Sequence, residues 1–84
     1  GKNCFISHGS MFVNDLAEKG MVNRDPKKFK KTTLGDNVII GSNSTILPVN
    51  IAKNIVVGAG SVVTKDLSIK GIYVGNPAKL LKRL

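Results

Sequence analysis

The 84-residue sequence contains no tryptophan, one cysteine and one histidine. Cys4 alone can form neither a disulfide within the chain nor a cysteine-based zinc site. A single histidine likewise excludes a zinc centre that draws two or more histidines from one chain. Aromatic residues are confined to Phe5, Phe12, Phe29 and Tyr73. With no recognised nucleic-acid module alongside them, nucleic-acid binding is the reading supported by charge alone and ranks last. No apolar run is long enough for a membrane helix and no signal peptide is visible, so the expected address is cytoplasmic, with no membrane partner.

Acidic residues are also scarce: five against thirteen Lys plus Arg, a formal charge of +8. Lys19, Arg24, Lys27, Lys28, Lys30 and Lys31 cluster in one stretch, and Lys65, Lys70, Lys79, Lys82 and Arg83 follow Val63. Such patches attract phosphate groups, although a lysine-rich face is often only a solvated one.

What the sequence does have is a period. From Leu34 to Val63 the units LGDNVI, IGSNST, ILPVN, IAKNIV and VGAGSV place aliphatic residues at Leu34, Ile40, Ile46, Ile51, Val57 and Val63, six residues apart with one deletion. Neither a 3.6-residue nor a two-residue period generates this spacing. A hexapeptide period reads as one short strand and one corner per unit, three units closing one coil of a parallel β-helix. The first position points inward and stacks on its counterpart in the next coil. The fifth position is small or aliphatic (Val38, Ser44, Ile55, Ser61). Gly35, Gly41 and Gly58 at the second position are expected to supply backbone angles that a side chain forbids. Asp36-Asn37, Ser42-Asn43 and Lys53-Asn54 suit exposed turns.

Ile6 to Met11 is one more unit, which puts His8 at an exposed corner and Cys4 at a small fifth position, where an inert buried thiol is expected. The period then stops. Residues 13–33 form an inserted loop, of a length that in compact domains is usually a lid, a binding arm or disordered. Pro48 removes a ladder donor within the deleted unit. Residues 34–67 are the coils, Ser68 to Gly75 an extended exit strand, and 76–84 a helical tail: Pro77 suits a first helical position, and Leu80, Leu81 and Leu84 form an apolar stripe that could cover the open end of the coils. The whole is a single domain, 1–84, and because it opens in mid-unit it is expected to be the C-terminal part of a longer protein.

The run ILPVNIAKNIVVGAGSVVTKD followed by GIYVGNPAKLLKR resembles the hexapeptide-repeat acyltransferases. FISHGSMFVND is similar to the subgroup that N-acetylates amino groups of nucleotide-linked deoxysugars of the dTDP-3-amino-3,6-dideoxyhexose type. The resemblance implies an all-β, left-handed parallel β-helix, a homotrimer with sites in the clefts between subunits, acetyl-CoA as acyl donor, no metal, and a role in surface polysaccharide (lipopolysaccharide) biosynthesis. The missing N-terminal coils would carry part of the sugar-nucleotide pocket.

The implied reaction is attack of an amine or hydroxyl on a thioester carbonyl, for which histidine is the usual general base. By resemblance His8 lies near the acceptor, as the base or only as an orienting group. Asn14 and Asp15 match the subgroup's Asn-Asp, Asn14 to hold the amine and Asp15 to accept a hydrogen bond from the sugar or from His8; the same pair could simply start a turn. A backbone N–H at a corner, from Gly41 or Ser42, is the candidate oxyanion donor. Ala59, Gly60, Lys65, Pro77, Lys79 and Arg83 are the candidate coenzyme A contacts, small residues for close approach and cations for phosphates. A sugar O-acetyltransferase of the same fold and a non-catalytic trimeric scaffold remain the alternatives.

Overall fold

The computed structural model describes residues 1–13 and 31–84; Asn14, Asp15 and the expected loop through residue 30 lie outside the described residues. The described strands are β1 (Phe5–Ile6), β2 (Met11–Phe12), β3 (Thr33–Leu34), β4 (Ile39–Ile40), β5 (Thr45–Ile46), β6 (Asn50–Ile51), β7 (Ile55–Val57), β8 (Val62–Val63), β9 (Gly71–Gly75) and β10 (Ala78–Arg83). There is no helix among the described residues.

The strands form three sheets, ordered β1-β4-β7-β9-β10, β2-β5-β8 and β3-β6. Each of β1 to β5 pairs in parallel with the strand three further on, and an Ile51–Leu67 bridge extends the third sheet. The chain therefore visits the three sheets in rotation. Asn37 and Asn54, 17 residues apart, bond across one circuit. That is three six-residue units less one residue, which is where the short ILPVN unit is spent.

Inward positions follow the hexapeptide phase. Ile40, Ile46, Ile51, Val57 and Val63 are buried, as are Val38, Ser44, Ile55, Ser61 and Leu67 at fifth positions. Burying a side chain of this kind contributes about 1.5–3 kcal/mol, and these stacked columns are the core. At the β1 end the same phase is exposed: Ile6 is 49% accessible, because β1 is an outermost strand with a neighbour on one side only. For that reason Cys4 is half-buried and not the buried thiol expected; its Sγ donates to the Gly35 carbonyl at 3.2 Å.

The glycines act differently from the expectation. Left-handed backbone occurs at the fourth position of the units, at Asn3, Gly9, Asn37, Asn43, Asn54 and Gly60, and not at Gly35, Gly41 or Gly58. Asn and Gly are the residues that tolerate this region. The second position is glycine because the next coil is too close: a Cβ on Gly35 would lie 2.4 Å from the Lys53 nitrogen, and one on Gly41 2.5 Å from that of Ala59.

The tail is a strand, not a helix. After β9, which runs parallel to β7 as the expected exit strand, the chain reverses through Asn76 and a cis-linked Pro77 into β10, antiparallel to β9, with Ala78 opposite Gly75 and a register shift between Leu80 and Lys82. The Leu spacing suits either element. The unpaired edge of β9 decides, because its N–H and C=O groups need partners. Gly71 admits the close pairing: a Cβ there would meet the Lys82 carbonyl oxygen at 2.5 Å.

Candidate functional site

Three corners stack where the first sheet turns into the second, formed by residues 6–11, 40–45 and 57–62. His8, Ser42 and Ala59 take the third position in these corners, all exposed. Backbone bonds tie them into a row: Asn43 N donates to His8 O at 3.1 Å and Gly60 N to Ser42 O at 2.9 Å. Adjacent coils stand one strand spacing apart, about 4.8 Å, so a linear ligand laid along the corner meets one residue after another.

Among the described residues the Ser42 and Ala59 amides bond to no backbone carbonyl, whereas Gly41 N is committed to Val57 O at 2.7 Å. Of the two candidate oxyanion donors, Gly41 N is already committed, and Ser42 N is not bonded to a backbone carbonyl among the described residues. A column of serine hydroxyls bonds the corners to one another. Ser10 Oγ donates to Gly41 O at 3.1 Å. Buried Ser44 Oγ is 2.8 Å from Gly41 O and 3.2 Å from Gly58 O, and its one proton serves one carbonyl at a time. Ser61 Oγ accepts from Gly75 N at 3.2 Å.

That last bond brings the β9–β10 turn, which carries Pro77, to the same end of the first sheet, with Gly75 next after Ala59 in register. Lys79, opposite Val74, is near this end, but Arg83, opposite Gly71, is at the other end of β10. Arg83 lies five residue steps along the strand from Pro77's neighbour Ala78, about 16 Å. Gly60 stands beside Ala59 in left-handed backbone, with no atom within 4 Å of where its Cβ would be. Lys65 follows β8, at the next corner, beside Asp66, whose Oδ1 accepts from Asn50 N at 2.8 Å. The structure thus gathers His8, Ser42, Ala59, Gly60 and Pro77, with Lys79 adjacent, and sets Lys65 and Arg83 apart. Sequence reasoning passed over Asn43, which is bonded to the His8 carbonyl; the signal was its equivalence to Gly9 in the repeat. Among the described residues no group of His, Cys, Asp and Glu could hold a metal ion, and no helix is long and apolar enough to cross a membrane.

Residues 31–65 match the family described as the hexapeptide repeat of succinyl-transferase. Over those residues the chain carries the hexapeptide repeat of the acyltransferase family. It is 40% identical over 71 residues to the bifunctional protein GlmU of Streptococcus uberis, a match covering 83% of this chain and 16% of that protein. It is 47% identical over 53 residues to the putative acetyltransferase YJL218W of Saccharomyces cerevisiae, covering 62% of this chain and 27% of that one. Among solved structures, a maltose O-acetyltransferase from Clostridium difficile 630 superposes with a TM-score of 0.80 at 30% identity, over 98% of this chain and 46% of that one. AntD, an N-acyltransferase from Bacillus cereus in complex with dTDP and 3-hydroxybutyryl-CoA, does so with a TM-score of 0.80 at 30% identity, over 96% of this chain and 48% of AntD. The chain therefore spans 16% of the length of its GlmU relative and about half that of the two structures.

Proposed function

We propose that the protein of which this chain is part is an acetyl-CoA-dependent acetyltransferase that modifies the amino group of a nucleotide-linked deoxysugar, built as a left-handed parallel β-helix and active as a homotrimer. One observation carries the reading: the chain's only histidine shares a single exposed corner row with Ser42 and Ala59, whose amides bond to no backbone carbonyl among the described residues. Likeness to AntD, solved with dTDP and an acyl-CoA, supports the nucleotide-sugar and coenzyme A assignments. Support for association comes from the outer face of the first sheet. There Phe5, Ile39, Val56 and Ile72 lie side by side in register, Phe5 and Ile39 being 62% and 43% exposed.

In this reading the pantetheine arm lies along the row from Pro77 past Ala59 and Gly60, and Lys79 faces the phosphates. The acceptor nitrogen attacks the thioester carbonyl carbon. Negative charge gathers on the carbonyl oxygen, where the Ser42 N–H donates a preorganised hydrogen bond. His8 takes the proton from the nitrogen. Collapse breaks the C–S bond, the amide forms, and coenzyme A leaves with that proton on its sulfur. Asn14 would hold the amine, and Asp15 would accept a hydrogen bond from the sugar or from His8.

Incubating the full-length protein with acetyl-CoA and a panel of nucleotide-linked amino sugars, read by mass spectrometry, tests the proposal. A gain of one acetyl group on one acceptor is expected. Acetylation of hydroxy-sugars alone would instead establish sugar O-acetylation, the reading favoured by likeness to the maltose O-acetyltransferase.

A further inference from the structure

The fourth positions of the repeat form two columns of left-handed residues, one at each end of the first sheet's strands. In one, Asn3, Asn37 and Asn54 stack, and Asn37 Nδ2 donates to Asn54 Oδ1. Asparagine over asparagine is therefore accommodated by this coil spacing. The other column, alongside the His8 row, reads Gly9, Asn43, Gly60. Asn43 is the one side chain in it, with a glycine in the coil on either side, and it makes no ladder bond among the described residues.

Its carboxamide turns toward the coil that carries His8. A Cβ on Gly9 would lie 2.1 Å from Asn43 Oδ1 and 3.2 Å from Cγ, so the carboxamide fills the space that a side chain on Gly9 would need. The same residue's N–H holds the His8 carbonyl at 3.1 Å. Both halves of the His8–Gly9 dipeptide thus rest on Asn43, one by a hydrogen bond and one by contact. Gly60, on the other side, has nothing within 4 Å of its Cβ direction, so no equivalent clamp exists in the next coil.

We infer that Asn43 is a positioning residue for His8: its carboxamide, seated on Gly9, fixes the corner from which the imidazole reaches the acceptor. The inference rests on the reading of His8 as the catalytic base. A side chain at position 9 would displace the carboxamide from this seat. A small misplacement of a catalytic group is enough to slow a reaction while leaving donor binding intact.

Asn43→Gly is the informative variant, since glycine keeps the left-handed backbone and the amide while removing the side chain. In the full-length protein it is expected to leave the melting temperature within about 2 °C. It should lower kcat about ten-fold with the KM for acetyl-CoA unchanged, and have no further effect in a His8→Ala background. The imidazole resonance that disappears in His8→Ala should shift in Asn43→Gly. That arm needs no turnover, so it separates a failure of this inference from a failure of the His8 assignment. The exchanged pair Gly9→Asn with Asn43→Gly, which keeps one carboxamide in the column, should recover more of kcat than Gly9→Asn alone. An unshifted resonance, an unchanged kcat, or an equal fall with and without His8 would each overturn the inference.

Discussion

Asn37 donates from Nδ2 to Oδ1 of Asn54 at 3.2 Å across one circuit of the chain, and both residues hold left-handed backbone, at φ 59° and 60°. Two separate properties of asparagine meet in that pair: tolerance of the backbone angle and a side chain that bonds its own kind. Substitution separates them. Asn54→Ala should cost about 1–2 kcal/mol, the strain of a Cβ in this region. Asn54→Gly removes the same hydrogen bond without that strain and should cost less than about 1 kcal/mol. Urea unfolding of both variants checks the order; equal losses would mean that the side-chain bond, and not the backbone, sets the preference.

Glycines of the repeat divide into two kinds with opposite tolerances. Gly41→Ala places a methyl 2.5 Å from the Ala59 nitrogen and forces adjacent coils apart, so a loss of about 3 kcal/mol or failure to accumulate folded protein is expected. Gly60 has φ 72° and open space beside it. Gly60→Asn should therefore be tolerated within about 1 kcal/mol, and Gly60→Ala should cost about 1–2 kcal/mol. Asparagine at position 41 should behave as alanine does, since it brings the same Cβ. Thermal unfolding of the four variants separates the cases.

This division also marks what was legible in the residues. A period in aliphatic positions declares which side chains point inward, since each must be buried by the unit after it; hence Ile40, Ile46, Val57 and Val63 could be placed before any coordinates. Second-position glycine was legible as a requirement but not as a cause, because a forbidden angle and a forbidden contact leave the same residue. The tail was misread for a related reason: Leu80, Leu81 and Leu84 fit a helix by spacing, while the open edge of β9 that recruits them as a strand is a property of the assembled coils. His8 and Ser42 could be assigned to corners from register alone. That their corners are the same one, and that Gly41's amide is spent on Val57, emerges only when the coils are stacked.

The apolar ladder on the first sheet's outer face makes a prediction about association. Phe5, Ile39, Val56 and Ile72 pair laterally along the sheet, whereas the matching outward positions of the second sheet are Met11, Thr45 and Val62, and those of the third include Thr33 and Asn50. Ile39→Lys puts a charge into the most apolar of the three faces. If copies meet there, the variant should sediment as a smaller species at micromolar concentration while retaining the far-ultraviolet signature of the coils, because Ile39 points outward and leaves the core unaltered. An unchanged sedimentation coefficient would remove this face from consideration as the contact between copies.

His8 gives the sharpest test of the chemistry because its side chain is exposed, so removing it opens no cavity and should not disturb the coils. His8→Ala is expected to lower kcat by about 10²–10⁴, the usual contribution of a positioned acid–base group. The size of the loss depends on the acceptor. An amine can shed its proton to solvent before it attacks, and does so increasingly above about pH 8, near the value for α-amino groups. A sugar hydroxyl cannot, and needs the base throughout. With an amino-sugar acceptor, the ratio of wild-type to His8→Ala rates should therefore narrow as pH is raised from about 7 to 9. With a hydroxyl acceptor it should not narrow over that range. A ratio that stays constant with pH on the amine would show that His8 orients the acceptor and does not move its proton, and a ratio near one at every pH would remove His8 from the reaction.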